Sequence, residues 1–197
     1  MARTKGEHTR RAILEAAIVR FGREGFRATS VADIARDADV GGTVPYTYFA
    51  DKEALFLAAI DEDAAALIRE GLTDTFDTAS LTDWRQTLLV TLVGAMPQHP
   101  LAERLLGGLE PEVTGRVLEI PALAELRKAC TERLRDEQLS GRVRSDIDAA
   151  VIANGVVAIV LSLLMSVVQI GPEAVGPYGD DVVAVFEAAL DPPSPAR

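Results

Sequence analysis

A single cysteine, Cys130, in a chain of 197 residues leaves no partner for an internal disulfide and no thiolate set for a zinc site. The two histidines, His8 and His99, lie far apart in sequence, so an imidazole-based metal site has little support. No metal and no cofactor is therefore expected. Aromatic residues make up only 5% of the chain against 48% hydrophobic residues, so a core must be aliphatic and alanine-rich. That composition favours packed helices over sheets. No segment alternates with a period of two, and no repeat or low-complexity stretch stands out. The first residues are polar with no apolar run behind them, so no secretory leader is expected. Glycine-rich phosphate loops, metal-ligand spacings and a nearby Cys/His pair are also missing, and catalysis is not expected.

Positive charge is scarce overall, with a formal net charge of −10, but its placement is uneven. Residues 1–30 carry a net +4, residues 31–53 a net −3 and residues 54–197 a net −11. The strongly acidic body would repel a polyanion, which leaves the N-terminal head as the face able to meet one.

The rest of the chain reads as helices. The first is expected over about residues 5–24, with Thr4 and Glu7 at capping-box spacing and Gly25 as its stop. Ile13, Leu14, Ala17 and Phe21 form its apolar stripe. A second follows Ser30 and ends near Asp37, and a third lies around residues 42–48. A fourth begins after the N-cap Asp51 and runs to about Leu72, with Leu55, Ala58, Ala59, Glu62, Ala66 and Leu67 on its inner face. Further helices are expected over 81–95, 101–109, 112–138 with a break or a new start at Pro121, 146–169 and 179–190. The fold class is all-α, with about nine helices.

From Ala149 to Ile170 no residue is charged, a length that would span a membrane. Two readings stay open: a membrane-associated helix, or a helix buried between its own neighbours and a second copy. Acids at both ends and the lack of an aromatic belt favour the second. Ala150, Asn154, Ala158 and Ser162 place small side chains every fourth residue, a stripe that lets two helices approach closely.

The densest signal is near the N-terminus. Thr29-Ser30-Val31-Ala32-Asp33-Ile34-Ala35 is followed by Ala38-Asp39-Val40, then by Tyr46-Thr47-Tyr48-Phe49-Ala50-Asp51-Lys52-Glu53-Ala54-Leu55. With Ile13-Leu14-Glu15-Ala16-Ala17, Phe21 and Glu24-Gly25-Phe26, this stretch resembles the TetR family of bacterial transcriptional regulators over about residues 9–60. The resemblance implies a helix-turn-helix DNA-binding domain over 1–53 and a helical ligand-binding and dimerisation domain over 54–197. It also implies a cytoplasmic homodimer on a palindromic double-stranded operator, most commonly as a repressor released by a small-molecule effector. A regulator without a ligand is the alternative within the same family.

Each element has its own physical reason. In a helix-turn-helix the second helix enters the major groove. Here it would start at Gly41, Gly42 or Thr43. Tyr46 and Tyr48 offer phenols to phosphates, and Thr47 a hydroxyl. Ser30 caps one helix, and Lys52 adds a cation at the start of another. Pro45 departs from the family pattern. It would cost about 3 kcal/mol deep in a helix, so a shortened recognition helix with Thr43 as N-cap and Pro45 at its second position is expected. No Arg, Lys, Asn or Gln lies between Val40 and Ala50, which removes bidentate base readout from this helix.

In the body, Trp84, Leu88, Met96, Leu105, Arg127, Cys130 and Asn154 are the expected lining of a pocket for a small hydrophobic effector. Ala150, Ala158, Ser162, Val182, Phe186 and Leu190 are the expected dimer interface.

Overall fold

A computed structural model describes residues 2–78 and 84–191. Every regular element among the described residues is helical, as the composition requires. In chain order they are α1 (Ala2–Ala28), α2 (Val31–Asp37), a 3-10 helix (Val44–Thr47), α3 (Lys52–Thr78), α4 (Trp84–Ala95), α5 (Pro100–Leu106), α6 (Pro121–Leu139), α7 (Ala149–Ile170), α8 (Pro172–Val175) and α9 (Gly179–Leu190). Short 3-10 turns at Met96–Gln98, Thr114–Glu119 and Gly176–Tyr178 join them. The expected start of the fifth helix at Leu81 falls outside the described residues, as do the closing prolines 192 and 193.

α1 runs further than expected at both ends. It already contains Thr4, so it starts ahead of the position expected as its cap. Gly25 does not stop it but breaks its geometry, at φ 83° and ψ 169°, before one last turn. A left-handed φ of this kind strains any side chain and suits glycine.

The chain divides into two compact units. The first comprises residues 1–69 and 95–120. Its core is the predicted stripe of α1 (Ile13, Leu14, Ala17, Phe21), with Val31, Ile34 and Ala35 of α2 and Phe49. α3 contributes Leu55, Phe56, Ala59 and Ile60. The rings of Phe21 and Phe26 both lie 4.9 Å from that of Phe56, centroid to centroid. The α3 stripe differs from expectation at one point: Glu62 is exposed, and the next residue, Asp63, is buried at 3% exposure.

Asp63 is buried because α5 supplies partners for it. Its Oδ2 accepts the backbone N–H groups of Leu101 (3.0 Å) and Ala102 (2.9 Å), and His99 Nδ1 stands 2.9 Å from its Oδ1. The carboxylate thereby satisfies two of the free amides at the start of α5.

The second unit comprises residues 70–94 and 121–197. α6 packs along α7, burying Leu123, Leu126, Cys130 and Leu134 against Ala149, Ala153, Val156, Val157, Val160 and Leu164. α7 starts where Asp148 caps it, the Oδ1 accepting from the amides of Ala150 (2.8 Å) and Val151 (3.3 Å). This helix is long and apolar enough to cross a membrane, but only 28% of its most apolar stretch is buried by the rest of the chain. One face is therefore left uncovered.

Candidate nucleic-acid interface

The turn between α2 and the 3-10 helix is set by local chemistry. Ser30 caps α2 through its Oγ, which accepts the Asp33 N–H at 3.1 Å, while its hydroxyl donates to Asp33 Oδ2 at 2.6 Å. The Ser30 hydroxyl, with Arg36 adding its charge, holds the Asp33 carboxyl below its ordinary range. After α2, Ala38 donates to Ile34 O and Val40 to Ala35 O, and Asp39 takes a left-handed φ of 53°. Aspartate is one of the few side chains that enter this region readily.

Thr43 N-caps the next element, Val44 is its first residue, and Pro45 occupies the second position, where no intrahelical donor is needed. The recognition element is thus a single 3-10 turn of four residues, Val44–Thr47, rather than a helix over 42–48. Thr43 makes no side-chain capping bond. Pro45 is buried and accepts from Tyr48 N (3.0 Å) and Phe49 N (2.9 Å) through its carbonyl. Beside it Val44 is half-buried and Tyr46 exposed.

Six of the eight predicted contact residues are exposed: Ser30, Gly41, Gly42, Thr43, Tyr46 and Thr47. Tyr46 is 55% exposed and so lies outside the core. Tyr48 is half-buried, its hydroxyl turned toward Gly6 of α1. Lys52 is also half-buried. Its Nζ sits 4.5 Å over the Phe26 ring and donates a long bond, 3.5 Å, to the Arg27 carbonyl. The Asp51 carboxylate caps α3 through the Ala54 N–H at 2.7 Å.

Most arginines of the head are occupied internally. Arg20 bridges α1 and α2 by donating from Nε (2.6 Å) and Nη2 (3.0 Å) to the two oxygens of Asp37, which lowers the Asp37 pKa and raises that of Arg20. Arg23 holds Glu24 below its ordinary value, with Arg20 adding to the effect. Arg36 pairs with Asp33. Sequence reasoning missed Arg27 as a site residue. It was visible only as part of the charge of the head, yet its side chain is 84% exposed and pairs with Glu112.

None of the residues expected to line an effector pocket borders the cavity described below. Met96 and Leu105 belong to the core of the first unit, at 5% and 2% exposure. Trp84, Leu88 and Cys130 fill the core of the second, each at 1% exposure or less. Arg127 is half-buried and Asn154 exposed. Apolar residues at helical spacing had signalled packing, not a cavity. Glu137, missed from the sequence, is buried beside Trp84. It accepts from Trp84 Nε1 (3.2 Å), Arg85 Nη2 (3.3 Å) and Arg133 Nε (3.2 Å). A cavity of about 300 Å³ does lie in the second unit, among Arg85, Gln86, Leu89 and Val93 of α4, Ile159 and Leu163 of α7, and Val182 and Phe186 of α9.

Two expected interface residues also turn inward: Phe186 and Leu190 are buried at 8% and 2% exposure within their own unit. Ala158 and Ser162 lie on the uncovered face of α7 together with Asn154, while Ala150 and Val182 are half-buried.

Residues 13–59 match the family described as bacterial regulatory proteins, tetR family. No curated protein matches the sequence. A crystal structure of a gamma-butyrolactone receptor is similar at 25% identity and a TM-score of 0.54, over 96% of this chain and 91% of that one. A TetR-family regulator from Cytophaga hutchinsonii is similar at 20% identity and a TM-score of 0.71, covering 95% and 96%. One from Mesorhizobium loti gives 19% and 0.71, covering 94% and 98%. The capped α2, the left-handed turn and the exposed recognition element coincide with the matched segment, and the likeness in fold extends over nearly the whole length. Residues 13–59 are thus a helix-turn-helix segment of the tetR type of bacterial regulatory protein, in a chain whose overall fold is that of TetR-family transcriptional regulators.

Proposed function

We propose that the chain binds a palindromic operator as a homodimer and represses transcription until a small, largely apolar effector releases it. On this reading residues 1–53 meet DNA, and residues 54–197 dimerise and take the effector. The observation that carries the proposal is the surface of the 3-10 turn: Thr43, Tyr46 and Thr47 are exposed beside Gly41 and Gly42, above a buried Pro45. Hydroxyls and phenols of this kind fix register on phosphates. Sequence preference must come from Thr43, Thr47, apolar contact with thymine methyls and the N-terminal end of α1 with Arg3 and Lys5, so specificity over bulk DNA should be modest.

The uncovered face of α7 supports the homodimer over a lipid-facing helix. It presents Asn154, Gly155, Ala158 and Ser162 beside an exposed Val151, a strip that lets a second helix approach closely, and the acids Asp146 and Asp148 stand just ahead of it. A cytoplasmic location follows from this reading. In the dimer the two heads must sit ~34–36 Å apart to reach successive major grooves. An effector that fits a different spacing weakens DNA binding by its differential affinity for the two states. The cavity beside Arg85 and Gln86 is a candidate site, and the name of the gamma-butyrolactone receptor makes small lactones the first compounds to try.

Footprinting on the DNA upstream of the gene for this chain, with and without lactones, tests the proposal. Protection of an inverted repeat, lost in Tyr46→Ala and weakened in Lys52→Ala, is expected. Binding that is not salt-dependent, or that both variants leave intact, contradicts it. Sedimentation of Ala158→Arg tests the dimer: wild type sediments as a dimer without detergent and the variant as a monomer. A wild type that is monomeric, or soluble only in detergent, removes the homodimer.

A further inference from the structure

We infer that Arg27 is a phosphate contact of the DNA-binding head, and that Glu112 occupies it in the DNA-free chain as a built-in competitor. The inference rests on the DNA-binding function proposed above.

Arg27 lies in the last turn of α1, three residues before the cap of α2, and its carbonyl accepts from Lys52 Nζ at the start of α3. It therefore stands at the edge where both helix starts meet the surface. The other paired arginines of the head are bound to acids of the head itself: Arg11 to Glu15, Arg20 to Asp37, Arg23 to Glu24 and Arg36 to Asp33. The partner of Arg27 comes from 85 residues away. The segment that carries it is fastened to the end of α1 by Glu110, whose Oε1 accepts from Phe26 N (3.1 Å) and Arg104 Nε (2.7 Å). Tertiary structure thus delivers Glu112 to Arg27, as helix periodicity does not.

Both side chains remain largely exposed, at 84% and 63%. An ion pair in that setting is weak and screened. A duplex offers a closely spaced line of phosphates, and binding it gains free energy by releasing condensed cations. Phosphate therefore displaces the carboxylate, and Glu112 sets how much of the Arg27 charge is available. Any movement of the segment between α5 and residue 114 changes DNA affinity through this one charge.

A double-mutant cycle tests the inference, read by fluorescence anisotropy on a labelled random-sequence duplex of about 30 base pairs between ~50 and ~200 mM salt. Glu112→Gln should tighten binding about two- to fivefold per head, the range spanned by exposed ion pairs. Arg27→Ala should weaken it and lower the slope of log K against log salt by about 0.9, the share of one phosphate contact. Arg27→Lys should retain the slope. In the Arg27→Ala background Glu112→Gln should have no effect. The control Glu119→Gln, an exposed acid of the same unit, should change nothing. An equal gain from Glu119→Gln, a gain that survives Arg27→Ala, or no gain at all overturns the inference. A wild type with no salt-dependent binding overturns the DNA-binding function as well, whereas normal wild-type binding with a flat cycle removes the inference alone.

Discussion

Gly22 on α1 passes so close to Pro100 at the start of α5 that a Cβ at position 22 would lie 2.7 Å from Pro100 Cβ and 2.9 Å from its carbonyl carbon. The contact is backbone against ring, and neither can rotate away. Glycine in the middle of a helix normally costs stability, so its presence here reflects the approach of two elements. Gly22→Ala should destabilise the protein by about 1–3 kcal/mol, more than the gain of up to ~1 kcal/mol from helix propensity. Gly94→Ala, at an exposed helical position with nothing within 4 Å of the added carbon, should be neutral or stabilising. Urea unfolding of both variants reads the difference. A Gly22→Ala protein as stable as wild type would show that α1 and α5 are not packed this closely.

Asp63 joins α3 to α5 through three hydrogen-bonding contacts in a buried setting. Removing it leaves two amides of α5 and the His99 ring nitrogen without their partner. Asp63→Ala should cost about 2–4 kcal/mol, because each buried polar group left unsatisfied carries its own penalty. Glu62→Ala, one residue away and exposed, should stay within about 0.5 kcal/mol of wild type. Equal unfolding midpoints for the two variants would contradict the role of Asp63.

The Arg20–Asp37 bridge makes stability depend on pH with a definite sign. Asp37 has a folded pKa below its unfolded value, because Arg20 hydrogen-bonds and attracts the charged form. The folded state therefore binds this proton more weakly than the unfolded state does. The contribution is fully present above the unfolded value of about 4 and is lost as pH falls through the lower folded value. Asp37→Asn should lower Tm at neutral pH, and the gap to wild type should close below about pH 4. A gap that stays constant down to about pH 2.5 would contradict the assignment.

Cys130 is fully buried, and burial pushes its thiol up to about 12. The reactive thiolate is therefore absent at pH 8, and reagent cannot reach the sulfur. Iodoacetamide should leave the native protein unmodified and label it fully in denaturant, at a rate that follows unfolding. Rapid labelling of the native state would place Cys130 in an open pocket instead of the core.

Much of the fold was legible because its signals are local. Ser30 and Asp51 mark helix starts by hydrogen bonds that span three residues. The α1 stripe follows from helix periodicity alone. The shortened recognition element followed from Pro45, whose missing donor allows few positions in a helix. In the candidate site, Gly41, Gly42, Thr43, Tyr46 and Thr47 are exposed, as a contact surface requires, and their contact with DNA belongs to the proposed function. Arg27 and Glu112 were not found as a pair, since nothing in the spacing of residues 27 and 112 brings them together. The pocket residues raise a related difficulty. Trp84, Leu88 and Cys130 have the spacing of a lining and of a packed core alike, and periodicity cannot separate the two.

By itself the sequence determined an all-α chain, its caps and breaks, its basic head and acidic body, and the family of its DNA-binding segment. These depend on propensities and hydrogen bonds that act within one or two turns. Only the tertiary structure decided which buried carboxylates, Asp63 and Glu137, find partners, which face of α7 stays uncovered, where the cavity beside Arg85 lies, and that Glu112 reaches Arg27. Each of these is a contact between residues distant along the chain, and such contacts exist only once packing has closed the loops between them.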